Sequence, residues 1–242
     1  MSFADALELT AGVEGWLTEA QARTLWDAAA GVGPGGTIVE IGSFHGRSTI
    51  VLALAAGERG QVVAIDPHGG GDRGPREISP DQARGDLDQA AFRANLERAG
   101  VAARVTHVRA RSADALDEVG GELDLLYVDG AHRYRPARTD IERWGARVRP
   151  GGSMLIHDSF SAIGVTLAQG RSLMLSDGWR YQGRVGSLAR YTREPLRPAQ
   201  RVANAARQAA GLSYFARNLA LKVLITLRLT RLLGRRDPSW PY

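Results

Sequence analysis

From residue 36 to residue 158, short apolar runs alternate with stretches whose apolar positions recur every three to four residues. The runs GTIVEIG (36–42), QVVAID (61–66), RVTHVRA (104–110), LDLLYVD (123–129) and GGSMLIHD (151–158) have the length and β-branched content of buried strands. Between them lie GRSTIVLALAAG, closed by Gly57, and DQARGDLDQAAFRANLERAG, with Asp81 as cap and Gly100 as stop. The short ADALDEV and then RPARTDIERWGARV, which Pro136 helps to start, complete the helical set. Strands that alternate with helices predict a doubly wound α/β fold with a mostly parallel sheet. After residue 160, SLMLSDGWRYQGRVGSLARYTRE reads as a helix end followed by an antiparallel hairpin. Before the sheet, TEAQARTLWDAAAGV is a helix capped by Thr18, expected over a sheet edge or the site mouth. The pattern divides the chain into an N-terminal helical cap (1–35), an α/β domain (36–192) and a helical tail (193–242).

Charge changes the picture only in the tail. Of the formal net charge of +5, nine basic residues fall between 195 and 236, where Asp and Glu are absent. Taking those nine away leaves the rest of the chain at −4, which argues against a protein that binds nucleic acid over its whole surface. Arg217, Arg228, Arg231 and Arg235 fall on one side of a tail helix, while Lys222 and Arg228 interrupt its apolar run short of a membrane span. The expectation is packing against the body or a second copy, as a homo-oligomer. The alternative is peripheral contact with an anionic membrane, at its inner face; nucleic acid ranks last. The start MSFADALELT lacks the basic and apolar regions of a secretory leader, so a cytoplasmic location is expected. With no Cys in 242 residues, disulfides and thiolate metal sites are excluded, and a metal must use oxygen or imidazole ligands.

Ligands of doubly wound sheets bind beyond the carboxyl ends of the strands. Those ends collect Glu40, Gly42, Ser43 and Gly46 after the first strand, then Asp66 and His68 after the second. Arg111, Ser112 and Ala113 follow the third, Asp129 and His132 the fourth, and His157 and Asp158 the fifth. The turn G-S-F-H-G-R-S brings backbone close to a ligand ahead of a helix N-terminus, but it is not G-x-G-x-x-G, which weighs against a nicotinamide cofactor. Glu40 suits a ligand with an amine or hydroxyls, and Asp66 can accept from ribose hydroxyls. No G-x-S-x-G occurs, which disfavours a serine hydrolase. A cofactor-binding scaffold without catalysis is the non-enzymatic alternative.

The segments VEIGSFHGRST, AIDPH, LLYVDGAHRY and RPGGSMLIHD resemble those of class I S-adenosylmethionine-dependent methyltransferases with a Rossmann-like sheet, in the branch of macrocin-type and other sugar O-methyltransferases. The resemblance spans about residues 14 to 192, and the D-G-A-H and P-G-G…H-D segments are its specific part. It implies S-adenosylmethionine held by Glu40, Ile41, Gly42, Ser43, Gly46, Ser48, Asp66, His68, Arg111, Ser112, Ala113 and Asp129. It also implies a divalent cation, Mg²⁺ first, on Asp129, His157 and Asp158, with His132 as base beside Asp129. His157 departs from the family, which has an acid there. The implied activity is methylation of a sugar, glycoside or glycolipid hydroxyl, with a phenol or catechol as the alternative acceptor.

Overall fold

The computed structural model describes residues 1–73, 76–77 and 79–226. The strands are β1 (Thr37–Ile41), β2 (Gln61–Ile65), β3 (Val105–Val108), β4 (Leu123–Val128), β5 (Val148–Ile156), β6 (Trp179–Val185) and β7 (Leu188–Arg193). They form one sheet in the order β3-β2-β1-β4-β5-β7-β6. The first five pair in parallel, and β7 and β6 add antiparallel at one end. The expected doubly wound sheet with its terminal hairpin is therefore present. A separate two-residue ribbon, Asp72–Arg73 against Arg76–Glu77, lies in the loop after β2.

Strand order reverses between β1 and β4, which places the switch point of the sheet there. The parallel ladder runs one residue beyond each strand. The Gly42 amide donates to Ile65 O, that of Asp66 to Val108 O, that of Asp129 to Ile41 O and that of His157 to Val128 O, all within 2.8–3.1 Å. Strand registry thus sets the heights at which these residues leave the sheet.

The helices are α1 (Phe3–Thr10), α2 (Glu19–Ala30), α3 (Arg47–Ala56), α4 (Gln82–Arg98), α5 (Tyr134–Thr139), α6 (Ile163–Ser172), α7 (Pro198–Ala209) and α8 (Gly211–Thr226). Thr18 and Asp81 cap α2 and α4 as expected. The helix expected through residue 148 instead widens after α5 into a π turn over Asp140–Trp144. That turn directs Asp140 to the Ser112 hydroxyl, at 2.5 Å, and Trp144 Nε1 to the Ser112 carbonyl, at 3.0 Å. π turns of this kind recur at functional sites.

Two apolar layers flank the sheet. One joins α1, α2 and α3 to Ile38, Leu125 and Tyr127; the other gathers Val39, Leu126, Ile156, Ile141 and Trp144. Burial of both faces of β1 and β4 explains their unbroken apolar runs.

The tail, through Thr226, packs on the body. Asn204 of α7 accepts from the Tyr181 amide at 2.8 Å and donates to the Trp179 carbonyl at 3.0 Å. Gln208 donates to Leu173 O and accepts from Tyr191 Oη. Asn218 of α8 donates to Phe160 O at 3.2 Å. Among the described residues no helix is long and apolar enough to cross a membrane. Arg228, Arg231 and Arg235 lie outside them.

Candidate active site

A cavity of about 1080 Å³ opens over the carboxyl ends of β1, β2, β3, β4 and β5. Its floor at the switch point depends on Gly42. There φ is 87°, and a Cβ would run into the Asp129 carbonyl, so only glycine lets these two chain segments touch.

Asp66 organises the cavity from β2. Its carboxylate accepts from the amides of Ser43 and Phe44, each at 2.9 Å, and of His68 at 2.7 Å. One carboxylate thereby shapes both the first turn and the second. Phe44 and His68 are held at φ 44°, a conformation that costs a non-glycine residue energy and is characteristic of functional sites. Phe44 meets Trp16 at 5.3 Å between ring centroids, and Arg47 donates to Gly15 O at 3.2 Å. The Glu14–Leu17 segment, just ahead of α2, therefore forms part of the mouth.

Ile41, Gly42, Ser43, Ser48, Asp66, His68, Arg111, Ser112, Ala113 and Asp129 all line this cavity. Two expected cofactor residues do not. Glu40 is fully buried beneath the turn, where the Ser48 and Thr49 hydroxyls donate to its two oxygens. Burial lifts its pKa to about 8, against the pull of those hydroxyls. Its side chain anchors the start of α3 and does not face the ligand space. Gly46 caps α3 at φ 86° against the Phe92 ring, and its role is steric.

The polar end of the cavity holds two acids and two histidines. His132 Nε2 lies 2.9 Å from Asp158 Oδ2. His157 Nδ1 lies 3.1 Å from Asp129 Oδ1 and 3.5 Å from Asp158 Oδ2. Tyr127 Oη donates to Asp129 at 2.8 Å. Asp158 takes φ 54°, just past the end of β5, which turns its carboxylate back towards His132.

Burial opposes charge on His157, but Asp129 and Asp158 outweigh it and hold the imidazole well above its usual pKa. Burial likewise opposes ionisation of Asp158, and the two histidines reverse this and hold its pKa well below the carboxylate range. For His132 burial again disfavours charge, while Asp158 and then Asp129 raise its pKa overall.

Among the described residues, Asp129, His132 and Asp158 can each offer a ligand atom within 4.8 Å of the others. A divalent cation fits this oxygen-and-imidazole set. The third residue expected to bind a metal, His157, is buried with Nδ1 3.1 Å from Asp129 Oδ1 and is not part of that set. A nucleoside-bearing cofactor fits the other end, between Gly42–Phe44, Asp66 and the Ser112–Asp140 pair. Burial raises the pKa of Asp140 to about 6, and the Ser112 hydroxyl partly offsets this. The cavity also has room for an acceptor.

Sequence reasoning missed Asp140, Trp16 and the α8 residues Leu219 and Lys222, all at or beside the cavity. Asp140 had no strand-end signal, because it reaches Ser112 from a helix. The aromatic Trp16 and Phe44 were visible, but nothing in their spacing pairs them.

A family model described as a methyltransferase domain matches residues 39–159. A catechol O-methyltransferase of Mycobacterium tuberculosis (strain ATCC 25618 / H37Rv) is 32% identical over 133 residues, covering 54% of this chain and 51% of its own length. One from Niastella koreensis is 25% identical, over 54% and 52%. The chain thus spans about half the length of the curated relatives it matches. An O-methyltransferase from Bacillus cereus, in complex with SAH, superposes with a TM-score of 0.57 at 19% identity, over 79% of this chain and 90% of that one. This likeness bears on the fold alone.

Proposed function

Because this chain belongs to the methyltransferase-domain family, we propose that it transfers a methyl group from S-adenosylmethionine to a hydroxyl of a small-molecule acceptor of the catechol type. The observation that carries the reading is one cavity lined both by Gly42 and Asp66 and by Asp129, His132 and Asp158. The relatives named catechol O-methyltransferases support a phenolic acceptor over the sugar or glycolipid expected from the D-G-A-H segment.

The residues divide the work. The Gly42–Phe44 backbone, Asp66 and Ser112 would hold the cofactor, which when bound supplies a methyl on a cationic sulfonium. Asp129 and Asp158 would hold a divalent cation, Mg²⁺ by ligand hardness, which lowers the pKa of an acceptor hydroxyl. His132, the third group of that set, would take the hydroxyl proton and leave the metal to the two acids. With Nε2–H directed at Asp158, Nδ1 is left as the accepting atom. Trp16 and Phe44 would shield the transfer from water.

The test is methyl transfer from labelled S-adenosylmethionine to catechol, simple phenols and simple glycosides, with and without a chelator. Turnover of catechols supports the reading, and turnover of glycosides alone returns it to the sugar acceptor. Absence of transfer to any hydroxyl, with no binding of S-adenosylhomocysteine, overturns it.

A further inference from the structure

The family match ends at residue 159, and the chain changes character beyond it. From Ser159 to Arg236 it carries fourteen basic residues against two acids, Asp177 and Glu194, so this region is strongly positive. Glu194 is already paired with Arg180 at 2.6 Å.

Helices α7 and α8 sit inverted on the body. A surface helix ordinarily buries its aliphatic side and turns its polar side to water. In α7 the buried side chains are those of Asn204 and Gln208, while Val202 is 69% exposed, with Ala203, Ala206 and Ala209 exposed around it. In α8 Asn218 is fully buried, and Leu212, Leu219 and Val223 are exposed together with Ala216 and Ala220. Spacings of three, four and seven residues place these groups on one side of each helix. Amides therefore hold the two helices to the protein, and their aliphatic sides face outward.

Arginines border the outward faces. Arg207 and Arg217 are exposed, and Arg217 shares the Tyr214 ring with Arg184 of β6, at 5.0 and 3.7 Å from its centroid. Among the described residues no carboxylate pairs with Arg184, Arg207 or Arg217. Arg228, Arg231, Arg235 and Arg236 continue the same charge in sequence.

We propose that the outward faces of α7 and α8 dock on the surface of an anionic lipid bilayer, a reading independent of the methyltransferase activity. The aliphatic side chains would enter the boundary between headgroups and acyl chains, and the arginines would meet the lipid phosphates. No described helix is long and apolar enough to cross, so the contact is along the surface. A second copy meeting this face about a twofold axis would instead bring the same arginines against each other.

Co-sedimentation of the full chain with vesicles tests this, using equal parts of phosphatidylglycerol and phosphatidylcholine against phosphatidylcholine alone. The chain should sediment with the anionic vesicles, and added NaCl should release it. Arg207→Gln with Arg217→Gln should weaken binding roughly thirtyfold, the worth of two basic groups beside such a surface. Leu212→Ser with Val223→Ser should weaken it by about tenfold or more. All four positions are exposed, so both variants should melt as the wild type does. Failure to sediment with anionic vesicles, equal binding to both kinds, or variants that bind as the wild type each overturn the proposal. So does a dimer in analytical ultracentrifugation that Leu212→Ser with Val223→Ser dissolves, since a second copy would then cover the face.

Discussion

His132 Nε2 and Asp158 Oδ2 lie 2.9 Å apart, although 26 residues separate them in sequence and each follows a different strand. On the proposed reading the pair is a base and its orienting acid, so removing the base should cost rate without disturbing cofactor binding. We predict that His132→Ala lowers kcat by roughly 10²–10⁴-fold, the usual worth of a general base. The affinity for S-adenosylhomocysteine should not change. If the variant also loses its response to added Mg²⁺ in a direct metal titration, His132 is a ligand and not the base.

The rate should depend on pH in a defined direction. Asp158 and Asp129 raise the His132 pKa above the ordinary histidine value of 6.5, despite burial. Only the neutral ring accepts a proton, so kcat/KM should climb through a limb that lies above pH 6.5. A limb below that value in a pH–rate profile would remove His132 from the role.

Asp66 has no spare structural partner. Its carboxylate serves three amides in two turns. Asp66→Ala should weaken S-adenosylhomocysteine binding by about tenfold or more, the worth of one or two hydrogen bonds to a charged acceptor. Asp66→Asn, which keeps one acceptor oxygen, should fall between. Calorimetry on the three proteins gives the order.

Glu40 makes a prediction about stability. Its folded pKa of about 8 lies above the ordinary 4.5, so the folded state binds this proton more tightly. Its contribution is fully present below pH 4.5 and is lost as pH rises towards 8. The loss amounts to about 5 kcal/mol over that window. Glu40→Gln cannot ionise, so its stability relative to wild type should rise with pH between those limits. Parallel curves from denaturant melts at several pH values would contradict the assignment.

Most of the sheet was legible because buried parallel strands write long apolar runs between capped helices, as in GTIVEIG and LDLLYVD. The strand-end acids and histidines were legible for the same reason, since registry carries them to one edge. Tertiary effects were not. Whether Glu40 faces a ligand or the Ser48 and Thr49 hydroxyls depends on the path of α3, which no local pattern states. That His132 joins the two acids follows from Asp158 turning to φ 54°. Helix α1 has a capping signal at Ser2 and Asp5, yet nothing in the α/β alternation calls for it.

Asn204 supplies a last prediction. Replacing it with Ala leaves the Tyr181 amide and the Trp179 carbonyl without these partners. The cost should be about 1–3 kcal/mol. At about 2–4 °C per kcal/mol for a chain of this size, a thermal melt will register it.

The same two hydrogen bonds bear on how copies of this chain meet one another. Strand β6 ends the sheet, and such a border is a template onto which a strand from another molecule can add. Asn204 occupies a donor and an acceptor on that border with a single amide side chain, and a helix cannot be extended by strand pairing. Loss of α7 should therefore appear first as concentration-dependent aggregation, before the cavity at the far ends of the other strands is affected.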